Sequence, residues 1–100
     1  MKTGWTKRAE LELQQIMNYI AEDDPVAAYD WCERLVRRAD AVAAMKMSGR
    51  VVPELRREDI REIIVGNYRV IYRVTPNGIE VTTVIEGHKQ LPADLDEPEP

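Results

Sequence analysis

The sequence has little of the chemistry that metal sites and disulfides require. It contains a single cysteine, Cys32, and a single histidine, His88. One cysteine excludes an internal disulfide, and structural zinc sites are built mainly from Cys and His. The GxGxxG, Walker A, HExxH and EF-hand patterns are also absent. We therefore predict neither a metal nor a cofactor.

Long hydrophobic runs are missing as well. No stretch approaches the roughly 18–20 apolar residues that span a bilayer, and residues 1–5 lack the apolar region of a secretory signal. The 100 residues are 44% hydrophobic and 32% charged, which is typical of one small, soluble globular domain. We expect a cytoplasmic protein with no membrane partner.

The formal net charge of −4 conceals an uneven distribution. Residues 91–100 contain four acids and no base, whereas residues 1–90 carry 14 of each. Within that neutral part, residues 46–73 hold seven bases and four acids, which predicts a basic surface. The acidic whole disfavours long-range attraction to phosphate, so we expect no sequence-specific nucleic-acid binding. We predict a domain over residues 1–92 and an acidic, disordered tail over 93–100; the alternative is that the tail mimics a phosphate partner and covers the basic surface.

The first half of the chain has helical periodicity. Thr6 is a predicted N-cap, and the apolar residues after it recur on one face of a helix that ends before Pro25. Asp24 caps a second helix predicted from about Pro25 to Met47, which Gly49 would end in the left-handed conformation. The two apolar faces belong to a helical hairpin and are formed by Ala9, Leu13, Ile16, Met17 and Ile20, and by Ala28, Trp31, Cys32, Leu35, Ala39, Val42 and Ala43.

The second half has the period of β-strands. Residues 1–5 could form an edge strand, residues 50–60 look irregular, and β-forming residues then alternate from Ile63 to Ile85. Gly66-Asn67 and residues 76–78 predict two turns. The sequence thus predicts an α+β fold in the order β-α-α-β-β-β, with the helical hairpin on one face of a small antiparallel sheet. On the middle strand, Tyr68, Val70, Tyr72 and Val74 would face the helices, and Arg69, Ile71 and Arg73 the open face.

With this order established, the sequence resembles the RelE/ParE toxin superfamily of type II toxin–antitoxin systems, and its ParE branch in particular. The resemblance covers about residues 5–92, and its most specific part is the strand Asn67–Val74. The similar stretches are Trp5-Thr6, Tyr19–Ala21, Asp24-Pro25 with Ala27-Ala28, Gly49–Leu55, Arg61–Ile63, Asn67–Val74, and Val84-Ile85 continuing to Leu91-Pro92. The resemblance implies the same order of helices and strands.

The family includes two activities. ParE-type members inhibit DNA gyrase by binding, and RelE-type members cut messenger RNA in the ribosome; both are neutralised by a cognate antitoxin. The resemblance predicts a gyrase inhibitor without catalytic residues. The alternative is a metal-free endoribonuclease in which Arg69 and Arg73 bind phosphate and His88 supplies acid–base chemistry. That catalytic set is incomplete, because Gln90 stands where RelE-like nucleases carry an arginine and no tyrosine follows Tyr72. A family member without toxicity is a third alternative.

Two candidate surfaces follow. The predicted target-binding residues are Arg61, Arg69, Arg73, His88 and Lys89. Their structural alternative is ion pairing, for example of Arg69 with Glu80 on the next strand. The predicted walls of an antitoxin groove are Leu13, Met17, Trp31 and Leu35, for which core packing is the alternative. The protein could form a homodimer or a hetero-oligomer with its antitoxin.

Overall fold

A computed structural model describes residues 2–95. The elements follow one another as strand, two helices and four strands. Their bounds are β1 Lys2–Trp5, α1 Lys7–Asp23, α2 Pro25–Ala44, β2 Arg50–Val51, β3 Ile60–Val65, β4 Tyr68–Thr75 and β5 Gly78–Glu86. The predicted α+β fold is confirmed, with β2 as an added short strand inside the segment predicted to be irregular.

Both helices begin at the predicted caps. The Thr6 hydroxyl accepts a hydrogen bond from the Ala9 N–H at 3.1 Å and donates one to the Thr82 carbonyl at 3.0 Å, which joins the start of α1 to β5. The Asp24 carboxylate accepts from the N–H groups of Val26 and Ala27, each at 3.1 Å. These bonds satisfy backbone donors that the first helical turn leaves without partners.

The end of α2 differs from the prediction. The helix stops at Ala44, and Gly49 does not adopt the left-handed conformation. Gly49 is instead required for close packing: a Cβ there would collide with the Tyr72 hydroxyl and lie 2.8 Å from the Glu62 carbonyl. The Tyr72 hydroxyl accepts from the Gly49 N–H at 3.0 Å and donates to the Lys46 carbonyl at 2.9 Å. A core tyrosine therefore holds the turn that follows α2.

The five strands form a sheet in the order β1-β5-β4-β3-β2. β1 pairs in parallel with β5, and the other pairings are antiparallel. Gly66 takes a φ of 61° in the predicted turn between β3 and β4. At the far edge, β2 pairs only with Arg61 and Glu62, so it covers the first half of β3.

A β-bulge changes which side chains of β5 face the helices. Ile71 pairs with Thr83 but Tyr72 pairs with Val81, so Thr82 is an extra residue. The alternation predicted up to Ile85 is therefore interrupted at Thr82, and Val84 rather than Ile85 joins the core beneath the helices. A single extra residue reverses the facing of every side chain after it.

Each face of the sheet carries a hydrophobic core. The larger core lies beneath the helices and includes Tyr68, Val70, Tyr72 and Val74, as predicted. A smaller core on the opposite face contains Val52, Ile60, Ile71 and Leu95, with Leu55 and Leu91 packed against it. The face predicted to be open is thus closed around Ile71 by the segment before β3 and by the chain after β5. We call these six residues the second core.

The chain continues to contact the domain past residue 92. Leu95 is only 3% exposed in the second core, and the Asp94 carboxylate accepts from Arg8 at 2.8 Å with both oxygens. Two residues of the predicted acidic tail, Asp94 and Leu95, therefore contact the folded domain. Residues 96–100, with the other three tail acids, lie outside the described residues.

Candidate functional site

Arg69 is the centre of an ion-pair network on the sheet face that carries the second core. Its Nε donates to the Glu62 carboxylate at 2.6 Å, and its two terminal nitrogens donate to the Glu54 carboxylate at 2.8 and 2.9 Å. Arg50 donates to the other Glu62 oxygen at 2.5 Å. We call Arg50, Glu54, Glu62 and Arg69 the ion-pair network.

The two central members of the network, Glu62 and Arg69, are buried. The side chain of Glu62 is 0% exposed and that of Arg69 is 7% exposed. Hydrogen bonding from Arg69 lowers the pKa of Glu54 to about 2, and the bonds to Glu54 and Glu62 raise the pKa of Arg69. Because a buried carboxylate is stable only when it is paired, Arg69 neutralises Glu62 and ties the residue-54 loop to the sheet.

The network corrects two predictions. Arg69 does not lie on an open face, and it does not pair with Glu80, which is opposite Arg73 in the register. Sequence reasoning missed Glu62 as its partner. The available indication was that Glu62 shares the strand face of Ile60, so a charge there would be buried and would need a guanidinium.

Arg61 also has internal partners. Its side chain is 12% exposed. The guanidinium donates to the Gly49 carbonyl at 2.9 Å, to the Glu58 carbonyl at 2.9 Å and to the Glu58 carboxylate at 2.8 Å. These bonds connect β3 to the turn before β2. Arg73 is half-buried on β4, opposite Ile60 and Glu80.

His88 and Lys89 are the exposed members of the predicted target-binding set. They lie in the turn after β5, where their side chains are 80% and 62% exposed. The Glu86 carboxylate lies 3.6 Å from His88 Nε2 and 3.9 Å from Lys89 Nζ. Two of the five predicted residues are therefore exposed in this turn, and the three arginines lie on strands of the sheet.

A shallow depression lies at the same end of the sheet. It is lined by Ile64, Gly66, Asn67, Glu86, Gly87 and His88. Ile64 is 45% exposed there. The depression has a polar rim and an apolar side chain, a composition suited to contact with another protein.

The predicted antitoxin-groove residues lie beneath or between the helices. Leu35 is 0% exposed and Trp31 is 8% exposed, with the Trp31 ring packed edge-on against Tyr68 at 5.1 Å between centroids. Leu13 and Met17 are half-buried against the same core. The large apolar side chains that the helices expose are different ones: Leu11, Tyr19, Val26 and Tyr29.

Residues 2–95 hold no group of three or more His, Cys, Asp or Glu side chains that could bind a metal ion. Over the same described range, no helix has the length and apolarity to cross a membrane. The candidate site of the described residues is the exposed turn after β5 together with the shallow depression beside it.

Comparisons with known proteins agree with this architecture. The family described as "ParE toxin of type II toxin-antitoxin system, parDE" matches residues 4–91. A protein of Sinorhizobium fredii (strain NBRC 101917 / NGR234) named "Putative toxin Y4kP" is 36% identical over 93 residues, which is 91% of this chain and 93% of that protein. A solved structure titled "Chromosomal ParDE TA system from P. aeruginosa" has a similar fold, with a TM-score of 0.68 at 19% identity over 86% of this chain and 95% of the other. The family match covers nearly the whole described domain, which confirms the resemblance to ParE and implies an antitoxin partner: the chain belongs to the ParE toxin family of type II toxin–antitoxin systems.

Proposed function

We propose that this protein is a toxin that inhibits DNA gyrase by binding, without catalysis of its own, and that a cognate antitoxin neutralises it. The observation that carries the proposal is the state of Arg69. Each nitrogen of its guanidinium that could hold a phosphate donates to the carboxylate of Glu54 or Glu62. A surface without a free phosphate ligand at this position favours protein binding over RNA cleavage.

The ribonuclease alternative requires more than one cation. Cleavage needs a group that takes the ribose 2′-hydroxyl proton, a cation for the transition-state charge and an acid for the leaving oxygen. For an RNA phosphate to reach Arg69, it would have to displace two carboxylates, one of them fully buried. His88 lies in an exposed turn, 3.6 Å from Glu86, and no buried group among residues 2–95 is hydrogen-bonded to its ring.

His88 and Lys89 are the proposed contacts to gyrase. They are exposed side chains of the turn beside the depression that contains Ile64. An apolar centre with charged neighbours is the usual composition of a protein interface. Arg61, Arg69 and Arg73 would act indirectly by holding the sheet and loops that carry this surface. This function places the protein in the cytoplasm, where gyrase acts on the chromosome.

The proposed antitoxin surface is the outer side of the helical hairpin. Tyr19 is 71% exposed, Val26 69% and Tyr29 64%, which is unusual exposure for large apolar groups. The half-buried Leu13 and Met17 lie on the inner side of α1, while Trp31 and Leu35 support α2 from the core. An amphipathic antitoxin helix would bury the exposed groups in the complex.

Supercoiling assays with purified gyrase test the proposal. We expect the wild-type protein to inhibit supercoiling, and induced expression to cause filamentous growth with DNA damage. The double variant His88→Ala/Lys89→Ala should require at least about tenfold more protein for the same inhibition, which corresponds to about 1.4 kcal/mol. Lys7→Ala, an exposed cation at the start of α1, is the matched control and should inhibit like the wild type.

Three results would contradict the proposal. Codon-phased cuts in messenger RNA that disappear in His88→Ala would establish the ribonuclease alternative. Unchanged growth on induction would favour a non-toxic family member. Full gyrase inhibition by the double variant would show that the target surface lies elsewhere on the protein.

A further inference from the structure

The second half of β3 forms a sheet edge that no other strand covers within the described residues. β2 pairs with Arg61 and Glu62 and ends there, so Ile63–Val65 have a strand neighbour only on the β4 side. Uncovered edges present backbone N–H and C=O groups to other chains, and proteins usually protect them. We call residues 63–65 the β3 edge.

The register shows which backbone groups point outwards. β3 and β4 are joined by the two-residue turn Gly66-Asn67, which makes Val65 and Tyr68 the hydrogen-bonded pair next to the turn. Pairs in an antiparallel ladder alternate, so Ile64 and Arg69 form a non-bonded pair. The N–H and C=O of Ile64 therefore point away from β4. They face the same side of β3 on which Glu62 pairs with Arg50 of β2.

A helix side chain occupies part of this edge. Arg38 of α2 donates from Nη1 to the Ile64 carbonyl at 2.6 Å. Arg34, one turn earlier, lies above the adjacent turn, with Nη2 3.5 Å from the position a Cβ would take at Gly66. Both arginines are exposed, and within residues 2–95 neither has an ion-pair partner, whereas Arg37 between them pairs with Glu33 at 2.6 Å.

The edge thus combines three features that suit one kind of ligand. It has a backbone position at Ile64 that no described strand pairs with, an apolar side chain that is 45% exposed at the same residue, and two cations beside it. We propose that an acidic, extended segment of the antitoxin adds to the sheet along the β3 edge, with its carboxylates on Arg34 and Arg38. This inference rests on the proposed antitoxin partnership and assigns a second contact, separate from the outer side of the helical hairpin.

The steps of binding follow from the geometry. The incoming strand replaces Arg38 as the partner of the Ile64 carbonyl and accepts from the Ile64 N–H, as strand addition requires. The displaced guanidinium gains a carboxylate in place of a neutral carbonyl, and charged hydrogen bonds are the stronger kind. Because only a short stretch of edge is free, most of the affinity must come from the charges, and added salt should weaken it.

Overlapping peptides of the antitoxin and amide hydrogen exchange on the full complex test this proposal. We expect one acidic peptide to bind, and its version with Asn and Gln in place of Asp and Glu to bind at least tenfold more weakly. The double variant Arg34→Gln/Arg38→Gln should also bind the acidic peptide at least tenfold more weakly than the wild type does. The control variant Lys7→Gln, which removes a cation from α1, should bind the acidic peptide with the affinity of the wild type. The Ile64 amide should exchange at least tenfold more slowly in the complex than in the free protein.

The outcomes separate this inference from the proposed function. An antitoxin that fails to bind the wild-type protein overturns both. An antitoxin that binds, but leaves the Ile64 amide unprotected and tolerates Arg34→Gln/Arg38→Gln, overturns the β3-edge contact alone. Concentration-dependent dimerisation of the protein alone, with the Ile64 amide protected in the dimer, would assign the edge to a second copy and also overturn it.

Discussion

Replacing Arg69 with methionine should be among the most damaging single substitutions in this domain. The change keeps much of the apolar stem but removes the guanidinium that pairs with both Glu54 and Glu62. The Glu62 side chain is 0% exposed and would retain only Arg50, whose own side chain is 62% exposed. A buried carboxylate would then be left with one solvent-screened partner.

The expected loss is large relative to the stability of a small domain. Breaking a buried ion pair by removing one partner costs about 3–5 kcal/mol, whereas domains of this kind are stable by about 5–15 kcal/mol. For a urea m-value of about 1–3 kcal/mol/M, the unfolding midpoint should fall by at least about 1 M. The m-value itself should not change, because the native surface stays the same.

Urea unfolding followed by tryptophan fluorescence measures this effect, because Trp31 packs in the core against Tyr68. Arg50→Met is the matched control: it removes an arginine from the same carboxylate but from an exposed position, and should cost about 1 kcal/mol or less. The double variant Arg69→Met/Glu62→Leu should recover much of the loss, since an apolar pair can replace a buried ion pair at little cost.

Two results would refute this reasoning. If Arg69→Met costs less than about 1 kcal/mol, the Glu62 carboxylate does not depend on its guanidinium. If Arg50→Met costs as much as Arg69→Met, exposure does not decide the strength of these pairs. Either result would mean that the two carboxylates do not hold Arg69 tightly, and that its guanidinium is available to phosphate.

Three further predictions concern other parts of the domain. Gly49→Ala should destabilise by about 1–3 kcal/mol in urea unfolding, because its methyl group would overlap a buried tyrosine hydroxyl; Gly4→Ala, whose Cβ would meet nothing closer than 3.7 Å, should stay within about 0.5 kcal/mol. Acid should weaken the fold through Glu54, because its folded pKa of about 2 lies below the ordinary 4.5. The stabilisation is present above pH 4.5 and is lost as the pH falls towards 2; Glu54→Gln should flatten the fall in urea midpoint over that interval, and an unchanged slope would contradict the assignment. Leu95→Ala should cost about 2–5 kcal/mol by thermal or urea unfolding because it empties a position in the second core, whereas Leu11→Ala, at a residue that is 61% exposed, should cost less than about 0.5 kcal/mol.

Local patterns in the chain predicted most of the architecture. Thr6, Asp24 and Pro25 define the helix starts because capping depends on the residue itself and its next few neighbours. Gly66 takes the positive φ of its turn for the same local reason. The order of helices and strands, and with it the family, could thus be read from periodicity and spacing.

The candidate site depended on contacts between distant residues. Arg69 looked exposed from strand alternation, yet Glu54 lies 15 positions away and closes over it from a loop without regular periodicity. The bulge at Thr82 shifts the alternation of β5, and nothing in that residue marks it. Leu95 reads as part of an acidic tail but packs into the second core.

The sequence by itself determined both helix starts, the main strands, their order and the resemblance to the ParE family, because capping and periodicity depend on neighbours within a few positions. Only the tertiary structure decided which arginines are available to a partner. Whether a charged side chain faces solvent or a carboxylate is set by the segments that fold over it: Arg69 is enclosed by Glu54 and Glu62, whereas His88 stands in an exposed turn.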